Sequence, residues 1–331
     1  MAEKIVILGS NSFSGASFAA QCLDEGLDVL GISRSDEPAD VFLPYKWNMR
    51  KSSTFRFDRG DINHDLDRMA DTIEKFQPDY LVNFASQSMV AQSWEHPEHW
   101  YRTNILGIAM FCERIRHFRF LKRYVHVSTP EVYGSCAGDV TEDHFFNPST
   151  PYAVSRAAGD FHLRVLFRQY QFPVVFTRAA NVYGPGQQLY RIIPRTILFL
   201  MLGRKLQLHG GGHSVRSFIH IRDVSEATLK IMRQGQNGQT YHIATDRHIA
   251  IKDAVRLICD MMNKDLSEAV EVVDDRPGKD AAYLLDSSKL RGELGWKDHI
   301  KLEEGIRETV QWAQDNIDEL KKQPMDYIHK P

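Results

Sequence analysis

Lys4-Ile5-Val6-Ile7-Leu8-Gly9-Ser10-Asn11-Ser12-Phe13-Ser14-Gly15 opens the chain with a short β-branched, apolar run that stops at a glycine. A run that is apolar on both faces reads as a strand buried inside a parallel sheet. A helical stretch over 16–25 and a second strand over 27–32 follow. A strand, a glycine turn and a helix in that order let the backbone approach a pyrophosphate at the head of the helix. Gly9, Asn11, Ser12, Phe13 and Gly15 are therefore the candidate phosphate-side residues of a dinucleotide site. Ser12 stands where the middle glycine of such a turn is expected, and serine is small enough to fit.

Outward from that turn, the second strand runs out in Ser33-Arg34-Ser35. A site for NAD usually has an acidic residue here for the ribose hydroxyls, whereas a phosphate on that ribose needs arginine and hydroxyls. The three residues favour NADP, with NAD possible, although Arg34 also reads as a solvated loop residue. A short strand at 55–57 leads to Asp61-Ile62. Asp61 is placed to meet an adenine edge, to cap the next helix, or both. A helix is expected over 66–76 and a fourth strand over 80–85, with Ala85 at the cofactor edge and Ser88 just beyond. One helix is expected over 94–118. This alternation predicts an α/β fold, a Rossmann-type doubly wound parallel sheet.

The chemistry concentrates further on. Ser128-Thr129-Pro130-Glu131-Val132-Tyr133-Gly134 follows a strand-like run at 123–127, and Tyr152-Ala153-Val154-Ser155-Arg156 opens a helix over 152–170. Strand ends and helix starts are where such folds collect their reactive groups. Tyr152 and Arg156 are helical neighbours at i and i+4. A cation beside a phenol is expected to lower its pKa and make a base. Read separately, Thr129 and Glu131 also suit turn-forming and capping roles. Past a strand at 172–178 the composition turns to loops with arginines. Asn181, Arg191, Arg195, Arg216 and Arg276 are candidate contacts for a diphosphate-bearing substrate. The expected organisation is a dinucleotide-binding domain over 1–180, to which segments around 215–245 return, and a smaller α/β substrate domain over 181–331. The last helix is expected over 302–322, and Tyr327 and Ile328 leave the tail able to dock.

The bulk numbers exclude other classes. Over 331 residues the apolar fraction is 43%, the charged fraction 25% and the net charge -2, which gives no reason to expect nucleic-acid binding. Cys22, Cys112, Cys136 and Cys259 are scattered, which fits a reducing cytoplasm and marks neither a disulfide framework nor a metal site. No signal peptide and no membrane span are expected.

Taken together, these stretches resemble the extended short-chain dehydrogenase/reductase family in its nucleotide-sugar 4,6-dehydratase branch. The resemblance rests on the turn at 9–15, Asp61-Ile62, Asn104-Ile105-Leu106-Gly107, Tyr152 to Arg156, Asn181-Val182-Tyr183-Gly184-Pro185, the 216–224 run and Leu294-Gly295-Trp296. The 128–134 stretch and the 275–280 run resemble the dTDP-glucose type. Ser33-Arg34-Ser35 and Ala85-Ser86-Gln87-Ser88 lean towards the GDP-mannose type, which uses NADP. The resemblance implies that Tyr152 deprotonates the C4 hydroxyl while hydride passes to the cofactor, giving a 4-keto sugar. Thr129 then holds the C4 oxygen, Glu131 removes the C5 proton, water leaves from C6 and the hydride returns there. It also implies a homodimer formed by the helices at 94–118 and 152–170.

Two positions depart from the family pattern. The dTDP-glucose enzymes have an aspartate before the glutamate, and here that position is Pro130. Arg156 replaces the family lysine and keeps the charge without being able to give up a proton. The resemblance leaves open a UDP-glucuronate decarboxylase, a 4-epimerase, or a nucleotide-binding homologue without activity. Glu131 and the 275–280 run favour the dehydratase.

Overall fold

A computed structural model describes residues 2–47, 54–136, 138–274 and 284–331. Arg276 and the 275–280 run lie outside the described residues. Seven parallel strands form the main sheet, in the order Thr240–Ile243, Val174–Ala179, Arg123–Val127, Tyr80–Asn83, Lys4–Leu8, Asp28–Ser33, Thr54–Arg59. The chain thus starts near the middle of the sheet and winds outwards on both sides. The central strands are buried on both faces: Ile5, Val6 and Ile7 are fully buried, as are Val82 and Val125. Each such side chain contributes roughly 1.5–3 kcal/mol through burial.

Local chemistry sets the element ends. The first helix begins at Phe13, three residues before the expected start, because the Ser12 side chain caps it by accepting from Gly15 N–H. The fourth strand stops at Asn83, whose Oδ1 takes the Ala85 N–H at 2.8 Å and turns the chain aside. The Pro151–Tyr170 helix starts with Thr150 accepting from Ala153 N–H and with proline at its first position, where no N–H is needed.

Two long helices of the sequence reading are broken. The expected helix over 94–118 is a helix at Pro97–Tyr101, a π-helical turn at Arg102–Gly107 and a helix at Ile108–Ile115. The π turn carries Asn104 into the site and presents Gly107 to Asn63, where a Cβ would lie 3.0 Å from Oδ1. The expected helix over 302–322 is Leu302–Asp315 followed by Ile317–Leu320. Asn316 Nδ2 donates back to Trp312 O at 2.8 Å and marks the break. In the longer piece Leu302, Ile306, Thr309 and Trp312 form the buried stripe, and Gly305 lies so close to Tyr183 that any Cβ would strike its hydroxyl.

Beyond the main sheet, Val215–His220 lies between Asn181–Tyr183 and His248–Ala250 in a three-stranded mixed sheet. Leu206–His209 pairs with Val270–Val273. A separate apolar cluster, with Ile193, Ile197, Val255, Ile258, Ile306 and Trp312 at its centre, packs these elements together. Among the described residues no helix is long and apolar enough to cross a membrane.

Candidate active site

The glycine turn joins the sheet to the first helix under tight steric limits. Gly9 has φ +77°, and a Cβ there would lie 2.8 Å from Ala85 N. A Cβ on Gly15 would strike Gly9 O, so helix and strand meet at contact distance only because this residue is glycine. Ser12, in place of the middle glycine, donates to Gly9 O at 2.7 Å and accepts from Gly15 N–H at 3.1 Å. Its hydroxyl closes the turn from within. Phe13 is buried beside it.

The second-strand residues have mixed fates. Ser33 is buried, and its Oγ accepts from Asn11 N–H at 3.0 Å and meets Ser10 Oγ at 3.3 Å, so it braces the turn. Asn11 Nδ2 donates to Ser35 O at 2.9 Å. Arg34 does not stand free: its guanidinium donates to Pro331 O at 2.6 Å and Lys330 O at 3.0 Å, and Lys330 Nζ reaches Ser35 Oγ at 3.4 Å. The tail docks, across the strand end that the sequence reading assigned to a ribose phosphate. Asp61 closes a local turn by accepting from Asn63 N–H at 2.8 Å, and Ile62 is buried against Gly107.

Thr129, Glu131 and Tyr152 come together as expected. Thr129 caps a short turn at Pro130–Tyr133 by accepting from Glu131 N–H at 3.4 Å. Pro130 occupies the first turn position, where its fixed φ and missing N–H suit the geometry. The Tyr152 phenol is buried, hydrogen-bonds to Thr129, and feels the charges of Glu131, Arg156 and Arg191. The net effect corrects the sequence expectation: burial and the Glu131 carboxylate push the phenol up to about 12, outweighing the pull of Arg156 and Arg191. Arg156 is itself buried and turns to Val127 O rather than to solvent. Among the described residues no partner meets its buried Nε, nor Asn11 Oδ1. An unpaired buried acceptor on the glycine turn and an unpaired buried donor one helical turn from Tyr152 suit a polar ligand, so these residues fit a dinucleotide.

The substrate-side residues are dispersed. Arg191 precedes the Ile192–Met201 helix and acts electrostatically on Tyr152. Arg195 is turned to the tail, donating to Met325 O at 3.0 Å and Asp326 Oδ1 at 2.9 Å. Arg216 is buried and donates to Val215 O at 2.8 Å. Asn181 heads its short strand, half-buried, and Ser88 is exposed.

The model of the GDP-mannose 4,6 dehydratase family matches residues 6–309. The chain belongs to that family. It lies in the nucleotide-sugar 4,6-dehydratase branch of the extended short-chain dehydrogenases/reductases. It is 30% identical over 331 residues to the dTDP-glucose 4,6-dehydratase of Xanthomonas campestris, covering 93% of this chain and 92% of that one. It is 34% identical over 269 residues to a trifunctional UDP-glucose 4,6-dehydratase, epimerase and reductase of Arabidopsis thaliana. That match covers 80% of this chain but only 40% of the larger protein. The dTDP-glucose 4,6-dehydratase of Streptomyces venezuelae, solved with NAD bound, superposes with a TM-score of 0.88 at 29% identity, covering 95% of this chain and 98% of that one.

Within this dehydratase-family scaffold, two sets of supporting bonds escaped the sequence reading. Asp160 is fully buried; its Oδ2 accepts from Ser128 Oγ at 2.8 Å and Arg178 at 2.5 Å. Arg178 donates on to the Tyr133 hydroxyl at 2.6 Å, and Tyr133 meets His242 Nε2 at 2.7 Å. This chain of bonds ties both ends of the 128–133 loop to the sheet. The second set centres on Asn104, which exchanges bonds with the Gln87 backbone at 2.9 Å and donates to Ser155 Oγ at 2.9 Å. Arg178, a charge within the apolar Val174–Ala179 strand, was the available signal for the first set, and the Asn104 motif for the second.

Proposed function

We propose that this chain is a nucleotide-sugar 4,6-dehydratase, converting a nucleoside-diphosphate hexose to its 4-keto-6-deoxy form with NADP as favoured cofactor. The observation that carries the reading is the convergence of Glu131 with Tyr152 and Thr129, because a plain 4-epimerase needs no carboxylate there. Gly9, Asn11, Ser12, Phe13 and Gly15 would hold the dinucleotide pyrophosphate, Ser33, Arg34 and Ser35 the ribose phosphate, Asp61, Ile62 and Ala85 the adenine side. Arg34 would exchange the tail carbonyls for the phosphate. When bound, that cofactor supplies a hydride acceptor at C4 and gives the hydride back at C6. The 181–331 region, with Arg191 and Arg195, would take the sugar nucleotide.

The residues' own work is proton handling. Tyr152 accepts the C4 hydroxyl proton, with Thr129 holding the C4 oxygen and the Arg156 and Arg191 charges favouring the phenolate. An ionised Glu131 favours a proton on Tyr152, so the proton stays on the phenol. Glu131 then takes the C5 proton that the 4-ketone has acidified. Pro130 carries no acid, so the protonated Glu131 returns its proton to the departing C6 hydroxyl. Water leaves; return of the hydride to C6 calls for a proton at C5, which Glu131 would take up from solvent as Tyr152 releases the C4 proton, so no net redox change results.

Tyr101, Leu106, Met110, Val154, Phe161 and Val165 are exposed apolar residues on the helices expected to form a homodimer. Leu163 and Leu166 of the same segment are buried within the fold. A second copy would cover that face, and Val165→Glu would leave a monomer in sedimentation.

The deciding experiment offers dTDP-glucose, GDP-mannose, CDP-glucose, UDP-glucose, UDP-N-acetylglucosamine and UDP-glucuronate in deuterated water, read by mass spectrometry and NMR. Loss of one water with deuterium at C5 from any of them upholds the dehydratase. Carbon dioxide loss from the glucuronate, a C4 epimer without deuterium, or no turnover of any sugar overturns it.

A further inference from the structure

A cluster of histidines lies beside the tail, outside the residues assigned to the reaction. His96 directly precedes the Pro97–Tyr101 helix, and Glu98 and His99 stand in its first turn. His96 Nδ1 lies 3.7 Å from Glu98 Oε1, and His99 Nε2 lies 3.6 Å from the same oxygen. The three donor atoms are all within 4.8 Å of one another. His329 arrives from the tail, with its Nε2 2.8 Å from His99 Nδ1. The ring centroids of His96, His99 and His329 are separated by 5.2, 5.8 and 5.1 Å.

The geometry points to a site for a divalent transition-metal ion of the zinc, cobalt or nickel class, bound by His96 Nδ1, Glu98 Oε1 and His99 Nε2, with His329 orienting His99. Ligand bonds of about 2.0–2.2 Å in a tetrahedral site put neighbouring donors about 3.4 Å apart. The two distances to Glu98 Oε1 are already within a few tenths of an ångström of that. The remaining gap between the imidazoles closes by rotation of side chains that are exposed at His96 and Glu98 and half-buried at His99. Two imidazoles and one carboxylate are a borderline donor set, which suits zinc, cobalt and nickel and is unlike the all-oxygen shells of calcium and magnesium. Three protein ligands leave a fourth position for water.

The tautomers are consistent around the cluster. For His99 Nε2 to bind metal as neutral imidazole, Nδ1 must carry the proton, and it then donates to His329 Nε2. His329 is left with its proton on Nδ1, which faces the Tyr327 hydroxyl at 3.3 Å. A hydrogen bond to the ring nitrogen that faces away from the metal fixes ring orientation and raises ligand basicity. The same tail residue precedes Lys330, whose carbonyl accepts from Gln87 Nε2 at 2.7 Å. Metal binding and tail docking therefore favour each other, as linkage requires.

The test uses the full chain with any affinity tag removed, stripped with chelator. Zinc is titrated by calorimetry and cobalt by visible absorption. One-to-one binding with ligand-field bands is expected, weakened at least about 100-fold in His96→Ala and His99→Ala. His329→Ala should weaken it about 10- to 100-fold. His329→Gln should recover part of that, since its amide oxygen can accept from His99 Nδ1. Hydrogen exchange over 325–331 should slow on metal addition, and circular dichroism of every variant should match the parent. Absence of saturable one-to-one binding, or affinity unchanged in His96→Ala and His99→Ala, overturns the site.

Discussion

Asp160→Asn tests whether the buried bond chain beneath the 128–133 loop holds the fold and the candidate site together. The carboxylate is fully buried and takes Arg178 at 2.5 Å and Ser128 at 2.8 Å on one oxygen. The surrounding charges, led by Arg178, keep it below the usual aspartate range despite burial. The amide preserves shape but removes the charge that balances the fully buried Arg178. Two unit charges about 4 Å apart at an effective dielectric of about 20 are worth about 4 kcal/mol. Breaking a buried pair by removing one partner typically costs about 3–5 kcal/mol. Against a total stability of about 5–15 kcal/mol, the loss is large. Equilibrium urea unfolding followed by tryptophan fluorescence should show it as a drop in midpoint at unchanged slope. Replacing both partners, Asp160→Leu with Arg178→Met, should recover most of the loss, since no unpaired charge then remains. A single variant within about 1 kcal/mol of the parent, or a double variant no better than the single, refutes the reasoning.

Three further outcomes are expected. Glu131→Gln should abolish deuterium incorporation at C5 with cofactor binding intact, and should move the rising limb of the pH profile for C4 oxidation to lower pH because the like charge beside Tyr152 is gone; unchanged exchange would remove Glu131 from the role of base. Arg34→Asp should lower the preference for NADP over NAD about 10- to 100-fold, the worth of a charge-assisted hydrogen bond, in competitive binding assays; no change would mean Arg34 serves only the tail. His126 and His242 are held down to about 3, first by burial and then by Arg156 and Arg178 respectively. Their folded pKa values lie below the unfolded value of about 6.5. The stability they contribute is therefore complete above about pH 6.5 and lost as pH falls from there towards 3, at up to about 1.4 kcal/mol per unit for each ring. Urea midpoints equal at pH 7.5 and pH 5 would contradict this.

Features that depend on neighbours in sequence were legible, and those that depend on distant partners were not. The parallel strands declared themselves because a strand buried on both faces must be apolar throughout, as Ile5, Val6 and Ile7 are. The glycine turn was legible because Gly9 and Gly15 meet steric limits set within a few residues and by one adjoining strand. The break at Arg102–Gly107 was not, since apolar periodicity hardly distinguishes a π turn from the helix around it. The spacing of Tyr152 and Arg156 predicted a lowered phenol pKa, but burial and Glu131 reverse the sign, and a spacing rule contains neither.

The sequence by itself determined the doubly wound sheet, the dinucleotide turn and the identities of Thr129, Glu131 and Tyr152, because each is written in a contiguous segment. Only the tertiary structure decided where the arginines and histidines point. Arg34 meets carbonyls almost three hundred positions away, Arg195 meets Asp326, and His99 meets His329. Those partners are chosen by how the tail folds back over the sheet. Hydrogen bonds and charges act over a few ångströms of space, and nothing in their separation along the chain announces them.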